Sequence, residues 1–431
     1  MTVLAGVASR DITPPAGAAM SGFAARETPA TGVHDSLLVH ALVVGDTALV
    51  TVDVVGLHED DCAEIRARCG LPPDHVVVHA THTHGGPVSM RGRLGDPLDE
   101  AWLATVVRAC AESVAEASAR REPVSATAGY GGRPAVARNR RRPGGPVDDE
   151  VPVVLLRRSD GSLLAGVVSY ACHPVVLGAD NTLFTADYPG VVRRVMAERL
   201  GGGPVLFVTG CAGDANTGHT AAASISTAAS ADRTFEACER VGKRIAAAGL
   251  ALTPRDRATR PGARPAVAAV ASEVRLELDV PDRTALLADL ERWEQDAAEA
   301  DSAHRALRHC WIGWGRGLLD HPHPRSAAGH LARVTVLRWD EAMLVALPGE
   351  PFAAAAHEIR EHAARKQPDA TVLVAGYSNG CPGYLPTSEE YPHGGYEVCD
   401  AHRYYGMPGP FSAGSSEALV KHARQLLDRV L

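Results

Sequence analysis

Lysine is nearly absent from this sequence: only Lys243, Lys366 and Lys421 occur among 431 residues, and acidic residues outnumber basic ones by 51 to 43. The formal charge of −8 argues against nucleic acid or an anionic membrane surface as the main partner, because both attract basic proteins. No apolar run approaches the roughly 20 residues that a membrane-spanning helix needs. We therefore expect no nucleic-acid partner and no integral membrane association, and the oligomeric state stays open.

The nine cysteines are odd in number and include no Cys-x-x-Cys pair, which is unlike a disulfide framework or a cysteine-based zinc site. The first residues, MTVLAG, lack the basic and apolar regions of an export signal. We therefore expect free thiols and a cytoplasmic protein. The sequence also lacks a Walker loop, a Rossmann glycine fingerprint after the first strand and a His-Glu-x-x-His helix, which excludes the enzyme classes that depend on them.

Short, mostly β-branched apolar runs alternate with helical patterns along the chain. The runs do not alternate cleanly between apolar and polar residues, which is typical of central strands covered on both faces. Strands are predicted at residues 48–55, 75–78, 153–156, 164–169, 205–208, 334–337, 343–346 and 372–375. Helices are predicted at residues 59–69, 100–119, 189–199, 234–251, 285–306, 352–365 and 415–431. This alternation predicts an α/β fold with mixed sheets flanked by helices.

Two segments interrupt this pattern. Residues 218–232 are small and polar and predict a flexible loop, and residues 253–265 are rich in proline and arginine and predict a surface connection before another strand at 266–278. No linker separates independent domains, so we predict one domain over residues 1–431, with any helical subdomain or insertion at about 253–330. The tryptophans of residues 309–314 either pack in the core or wall a compact site.

Reactive residues collect where predicted strands end. Residues 79–87 (HATHTHGGP) follow the strand at 75–78, and similar polar clusters occur at 173–174, 211–214, 348–350 and 377–380. In α/β proteins, ligands bind outside the carboxyl ends of the strands. The sequence therefore predicts a single site at that edge.

His82 and His84 form a His-x-His pair whose imidazoles can point to the same side of an extended chain. Taken alone, each is as well explained by ordinary hydrogen bonding, and Glu350 could simply cap a helix. Taken with His173, two or three imidazoles and one carboxylate fit a catalytic zinc site with an open position. Asp187 or Asp214 either orients a ligand imidazole or caps a turn.

Several ordered motifs give the chain a family resemblance. In chain order, the motifs are residues 6–15 (GVASRDITPP), 20–23 (MSGF), 80–87 (ATHTHGGP), 139–140, 173–174, 213–214, 348–350 and 376–379 (GYSN). They are followed by Gly383-Tyr384, Thr387, residues 389–391 and Tyr396-Glu397. Together they resemble the neutral/alkaline non-lysosomal ceramidase family over essentially the whole chain. The resemblance implies a neutral-ceramidase-like catalytic domain with helices packed on mixed sheets.

The resemblance also implies a site. By it, the Zn²⁺ ligands are His82, His173, Glu350 and Tyr384. His84, Arg140 and Tyr396 line the site and hold the scissile carbonyl, and we add Asn216 as a site residue whose role is open. Where the family carries a proposed catalytic serine, this chain has Asn216, which cannot accept an acyl group. The family's C-terminal β-sandwich domain is also not expected here.

These features predict a zinc-dependent amidohydrolase, ceramidase-like, that cleaves the C–N amide bond of an N-acyl compound or a small intracellular metabolite through a zinc-activated water. The expected partner is a small-molecule amide substrate. Two alternatives stay open. One is zinc-dependent acyl chemistry in a biosynthetic pathway, either ester or lactone opening or amide formation and cyclisation. The other is a non-catalytic binding protein on the same fold.

Overall fold

A computed structural model describes residues 2–219, 228, 230–254, 267–321 and 329–431. Most of the predicted loops at 218–232 and 253–265 lies outside the described residues. No helix in the described ranges has both the length and the apolar character required to cross a membrane.

Within the described residues, the strands form two large sheets and three short pairs. Their bounds are β1 Thr2–Asp11, β2 Gly32–Val33, β3 Leu38–Val44, β4 Thr47–Val52, β5 Val76–Ala80, β6 Glu122–Tyr130, β7 Arg138–Asn139, β8 Pro152–Arg157, β9 Leu163–Tyr170, β10 Leu183–Phe184, β11 Val205–Thr209, β12 Ala215–Asn216, β13 Thr253–Pro254, β14 Val267–Glu277, β15 Gly329–Trp339, β16 Ala342–Ala346, β17 Glu350–Pro351, β18 Thr371–Ala375 and β19 Tyr384–Leu385.

The helices of the described residues connect these strands. Their bounds are α1 Glu59–Arg68, α2 Glu100–Ala119, α3 Tyr188–Leu200, α4 Phe235–Leu250, α5 Arg283–Glu299, α6 Ser302–Asp320, α7 Ala353–Lys366, α8 Ala401–Tyr404 and α9 Ser415–Leu427.

Both large sheets are mixed. The first has the order β11-β9-β8-β6-β1-β3-β4-β5, with β13 paired to β6, and the second has the order β14-β15-β16-β18. The pairs β4–β5, β9–β11 and β16–β18 are parallel, and the other neighbours within the two sheets are antiparallel. The predicted mixed α/β architecture is confirmed.

The two sheets pack face to face, with helices on their outer faces. In β4, Leu49 packs towards the second sheet, where it shares a cluster with Leu344 and Leu373. Its neighbour Val50 packs towards the opposite side, in the cluster that includes Leu103 of α2. Because successive residues of a strand point to opposite faces, a strand buried on both faces must be apolar throughout. This packing explains why the predicted strands showed no polar face.

Some predicted elements differ from the structure. Four strands of the first sheet, β1, β3, β6 and β13, were not predicted, although β3 is almost entirely buried. The predicted helix at 285–306 is wrong in extent, because the structure has two helices there, α5 and α6. Asp301 separates them: its side chain accepts a 2.9 Å hydrogen bond from the backbone N–H of His304 and caps the second helix.

The tryptophans of residues 309–314 lie on α6 and contact the C-terminal segment. Nε1 of Trp311 donates to the hydroxyl of Tyr404 (2.7 Å), and Nε1 of Trp314 donates to the backbone carbonyl of Met407 (2.8 Å). The guanidinium of Arg403 lies over both indole rings. These contacts attach α6 to the segment that carries Tyr404 and Tyr405.

Two buried histidines make the stability of this fold depend on pH. Burial lowers the pKa of both His40 and His79 to about 3, and Nε2 of His79 accepts a hydrogen bond from the backbone N–H of Thr209. An unfolded histidine has a pKa of about 6.5, so the unfolded chain binds these protons first as the pH falls. We expect the free energy of unfolding to decrease from about pH 6.5 towards pH 3, by up to a few kcal/mol for each histidine. Urea titrations at several pH values measure this, and His79→Gln should show a flatter pH dependence than the parent protein.

Candidate metal centre

The carboxyl ends of strands from both sheets meet at one place. The backbone N–H of Thr209, which ends β11, donates to Nε2 of His79 on β5 (3.0 Å). The N–H of Ala80 donates to the carbonyl of Tyr377, directly after β18 (3.0 Å). These bonds join the ends of β5, β11 and β18. The loops that follow these strands therefore converge, as their polar residues predicted.

Three histidines come together in this region. His82, His84 and His173 each offer a ring nitrogen, and these atoms all lie within 4.8 Å of one another. Nδ1 of His82 lies 2.5 Å from the carbonyl oxygen of Val55, and Nδ1 of His173 lies 2.6 Å from that of Ala212. Because a carbonyl only accepts, both Nδ1 atoms carry the proton and both Nε2 atoms present a lone pair.

Glu350 faces the same centre. Its Oε2 atom lies 2.9 Å from Nε2 of His173 and 3.4 Å from Nε2 of His82. Its Oε1 atom accepts a hydrogen bond from the hydroxyl of Tyr405. A Cβ atom at Gly213 would lie 2.4 Å from the backbone carbonyl oxygen of Glu350, so a glycine is required where the two loops touch.

Tyr384 is brought to the site by a short parallel pair. β17 and β19 align Glu350 with Tyr384. The Tyr384 hydroxyl lies 3.4 Å from Nε2 of His173 and accepts a 2.9 Å hydrogen bond from NH2 of Arg140. Nε of Arg140 donates to Oε1 of Glu397 (2.8 Å), and this buried carboxylate fixes the plane of the guanidinium.

His84 and Tyr396 lie at the sides of the centre. The ring of His84 meets that of His82 edge-on, with their Nε2 atoms 3.3 Å apart, and its other side contacts the ring of Phe23. A Cβ atom at Gly22 would come within 2.5 Å of Nδ1 of His84, so the glycine of the MSGF motif makes room for this imidazole. The half-buried Tyr396 packs its ring against that of Tyr384.

Burial sets the charges of these groups. It lowers the pKa of His173 to about 4 and that of His84 well below its ordinary value, so both imidazoles are neutral at pH 7. Burial raises the pKa of Tyr384 well above its ordinary value, against the effect of the Arg140 charge.

These residues fit a divalent cation. The Nε2 lone pair of His173 faces a carboxylate oxygen at 2.9 Å, and a neutral imidazole and a carboxylate in this orientation repel each other unless a cation lies between them. Imidazole nitrogens and one carboxylate oxygen are ligands that zinc accepts. The group of three histidines could therefore hold a metal ion. It includes His84, for which the family resemblance implied a catalytic role.

The structure shows which contacts Asp187, Asp214 and Asn216 make. Asp187 and Asp214 do not hydrogen-bond the imidazoles, because their carboxylates accept from the backbone N–H groups of Tyr188 and Ala353 at helix starts. Backbone carbonyls orient the imidazoles instead. Asn216 uses its side chain locally: Oδ1 accepts from the N–H of Gly218 (2.8 Å), and Nδ2 donates to the carbonyl of His219 (2.7 Å).

Sequence reasoning missed several residues of the site. Tyr377 belongs to the motif at residues 376–379, but the sequence assigned no role to it. In the structure, its ring stacks on that of His82 with 4.0 Å between centroids, and its hydroxyl lies 3.4 Å from Oε2 of Glu350. Glu397 belongs to the Tyr396-Glu397 motif, whereas Tyr405 lies in none of the motifs. Their spacing along the chain shows no pattern, since they reach the site from different loops.

The fold and the geometry together define a class: two face-to-face mixed sheets with helices outside, carrying a buried cluster of histidines at the strand ends. Solved structures of ceramidases share this fold. The crystal structure of neutral ceramidase from Pseudomonas aeruginosa matches with a TM-score of 0.72 and 18% identity, over 100% of this chain and 75% of that one. A structure titled as ceramidase complexed with C2 matches with a TM-score of 0.71 and 17% identity, over 100% and 76% of the two chains.

Searches against protein-family models and against curated protein sequences find no match. At 17–18% identity, the likeness establishes the fold. The chain has a neutral-ceramidase-like fold, as its motifs predicted.

Proposed function

We propose that this protein is a zinc-dependent amidohydrolase that cleaves the C–N amide bond of an N-acyl compound or a small intracellular metabolite. One observation carries the proposal: two imidazole Nε2 atoms, from His82 and His173, converge on one carboxylate oxygen of Glu350 within 3.4 Å. The ceramidase-like fold supports it, because its structural neighbours include a protein titled neutral ceramidase.

In this proposal, His82, His173, Glu350 and Tyr384 hold the metal. Zinc in such a donor set supplies a Lewis acid for the amide carbonyl and a water whose pKa is lowered to about 7. Burial keeps the imidazole of His173 neutral, and the carbonyls of Val55 and Ala212 fix the tautomers of His82 and His173. Arg140, which donates to the Tyr384 hydroxyl, stabilises negative charge on that oxygen.

The proton-transfer role belongs to His84. Its imidazole is neutral and sits beside His82 without a short hydrogen bond to a carboxylate among the described contacts, so Nε2 can accept a proton and return it to the leaving amine. Phe23 and Gly22 hold the ring in place. Arg140 and Tyr396 donate hydrogen bonds to the carbonyl oxygen as it gains charge.

The proposed reaction forms no acyl-enzyme at Asn216, whose amide is not a nucleophile. Water attacks the carbonyl carbon, the C–N bond breaks, and the amine leaves with a proton. Asn216 shapes the turn at residues 216–219 through its two hydrogen bonds.

This role leads to a prediction for Asn216→Ala. The variant should keep measurable turnover and bound metal, because it loses hydrogen bonds of about 0.5–1.5 kcal/mol each and no reacting atom. Steady-state kinetics with metal analysis measure this. A trapped covalent acyl-enzyme in the parent protein would contradict attack by water.

We further propose that the substrate is smaller or more polar than ceramide. A sphingolipid hydrolase works at a membrane or micelle surface, where amphipathic helices, aromatic residues and basic residues help binding. This sequence has a formal charge of −8 and only 5% aromatic residues.

The test compares substrates under identical zinc loading. We expect kcat/KM for short or polar N-acyl amides to exceed that for a fluorescent long-chain ceramide, and elemental analysis to find about one zinc per chain. A higher value for ceramide would overturn the substrate proposal. Stoichiometric zinc without hydrolysis of any amide, but with turnover of esters or lactones or with ring closure, would support the acyl-chemistry alternative instead. Absence of any bound metal would overturn the zinc proposal itself.

A further inference from the structure

The two carboxylate oxygens of Glu350 have different neighbours. Oε2 faces the imidazoles of His82 and His173. Oε1 points away from them and accepts the hydrogen bond of the Tyr405 hydroxyl. The carboxylate is fully buried, so bulk solvent does not surround either oxygen. One oxygen is therefore presented to the histidines while the other is bound by a phenol.

Tyr405 is held firmly enough to direct this carboxylate. Its side chain is 2% exposed, and its ring lies edge-on to that of Tyr384, with centroids 6.1 Å apart. A Cβ atom at Gly383 would come within 3.3 Å of the Tyr405 ring, so the glycine lets the ring pack directly on the backbone.

We propose that Tyr405 is a positioning residue that restricts Glu350 to binding the metal through Oε2 alone. The proposal rests on the metal centre of the proposed function. A carboxylate whose second oxygen is released can turn and bind through both oxygens, which fills a coordination position. A catalytic zinc site needs that position for water or substrate. Tyr405 thus keeps the centre open by tying the outer oxygen.

The test uses Tyr405→Phe, which removes the hydroxyl and keeps the ring. Tyr404→Phe is the matched control, because its hydroxyl accepts from Trp311 and the contacts described for Tyr404 do not include Glu350. Each protein is loaded with Co²⁺ for visible absorption spectra, and its zinc affinity is measured by competition with a chelator.

We expect the cobalt absorption of Tyr405→Phe to weaken as the coordination number rises, and its zinc affinity to fall about 10–100-fold, the usual cost of removing a group that orients a ligand. Tyr404→Phe should match the parent in both measurements. An unchanged cobalt spectrum and zinc affinity in Tyr405→Phe would overturn the proposal, as would equal changes in Tyr404→Phe.

A measurement on the parent protein covers the case in which Tyr405→Phe does not fold. Infrared difference spectra of the ¹³C-glutamate-labelled protein, with and without zinc, report whether the carboxylate binds through one oxygen. Binding through both would overturn the proposal. Neither readout uses a substrate, so a failure to hydrolyse amides counts against the proposed function alone. A parent protein that binds neither zinc nor cobalt would overturn both.

Discussion

His173→Ala is expected to abolish amide hydrolysis and zinc binding together. The imidazole is buried, contacts Oε2 of Glu350 at 2.9 Å, and stands 3.4 Å from the Tyr384 hydroxyl. Removing it deletes one proposed ligand and leaves the buried carboxylate without one of its partners. The loss of zinc affinity should exceed the roughly 10–100-fold that removal of an outer-shell partner costs. Activity should fall in parallel, because the bound metal would supply the Lewis acid that the proposed reaction needs.

Elemental analysis and amide turnover, measured on the same preparations, check this expectation. His422→Ala is a suitable control, because that histidine lies on α9 and contacts Ser272. The control should keep full zinc content and turnover. A folded His173→Ala protein with stoichiometric zinc would show that His173 is not a ligand.

His84→Ala is expected to separate metal binding from catalysis. If His84 transfers protons and the metal is held by the other residues, kcat should fall by about 10²–10⁴-fold, the usual contribution of general acid–base catalysis. Zinc content should stay near that of the parent protein. The pH dependence of kcat should also change, because the neutral imidazole is lost.

The same variant tests the competing geometry, in which His82, His84 and His173 form the ligand set. Zinc would then be lost from His84→Ala as it is from His173→Ala. His84→Gln adds a second comparison, because the amide can fill the space beside Gly22 but transfers protons poorly. Zinc retention with low activity in both His84 variants would support the proton-transfer role.

Much of the fold was predictable because its signals are local. Strands such as β4 and β5 are runs of residues buried on both faces, and their composition alone indicates central strands. Strand β1 was missed because its burial pattern is irregular, with exposed and buried residues in no strict alternation. The division between α5 and α6 depends on one capping residue, Asp301, within an otherwise continuous helical pattern.

The candidate site likewise has a part that was predictable from local motifs and a part that depends on packing. The candidate residues His82, His84, His173, Glu350 and Tyr384 could be predicted because each lies in a short motif that is visible in the linear sequence, and their roles stay a prediction. Only the packing of two sheets brings the carboxyl ends of β5, β11 and β18 together, and the order and direction of strands are not encoded in any one segment.

The sequence by itself therefore determined the α/β class, the convergence of polar residues at the strand ends and the residue types available there to a metal. The tertiary structure alone decided which oxygen of Glu350 faces the histidines, that backbone carbonyls rather than Asp187 or Asp214 orient the imidazoles, and that Tyr405 and Glu397 support the centre. The physical reason is that these contacts join residues from separate loops, and their distances depend on how the whole chain packs.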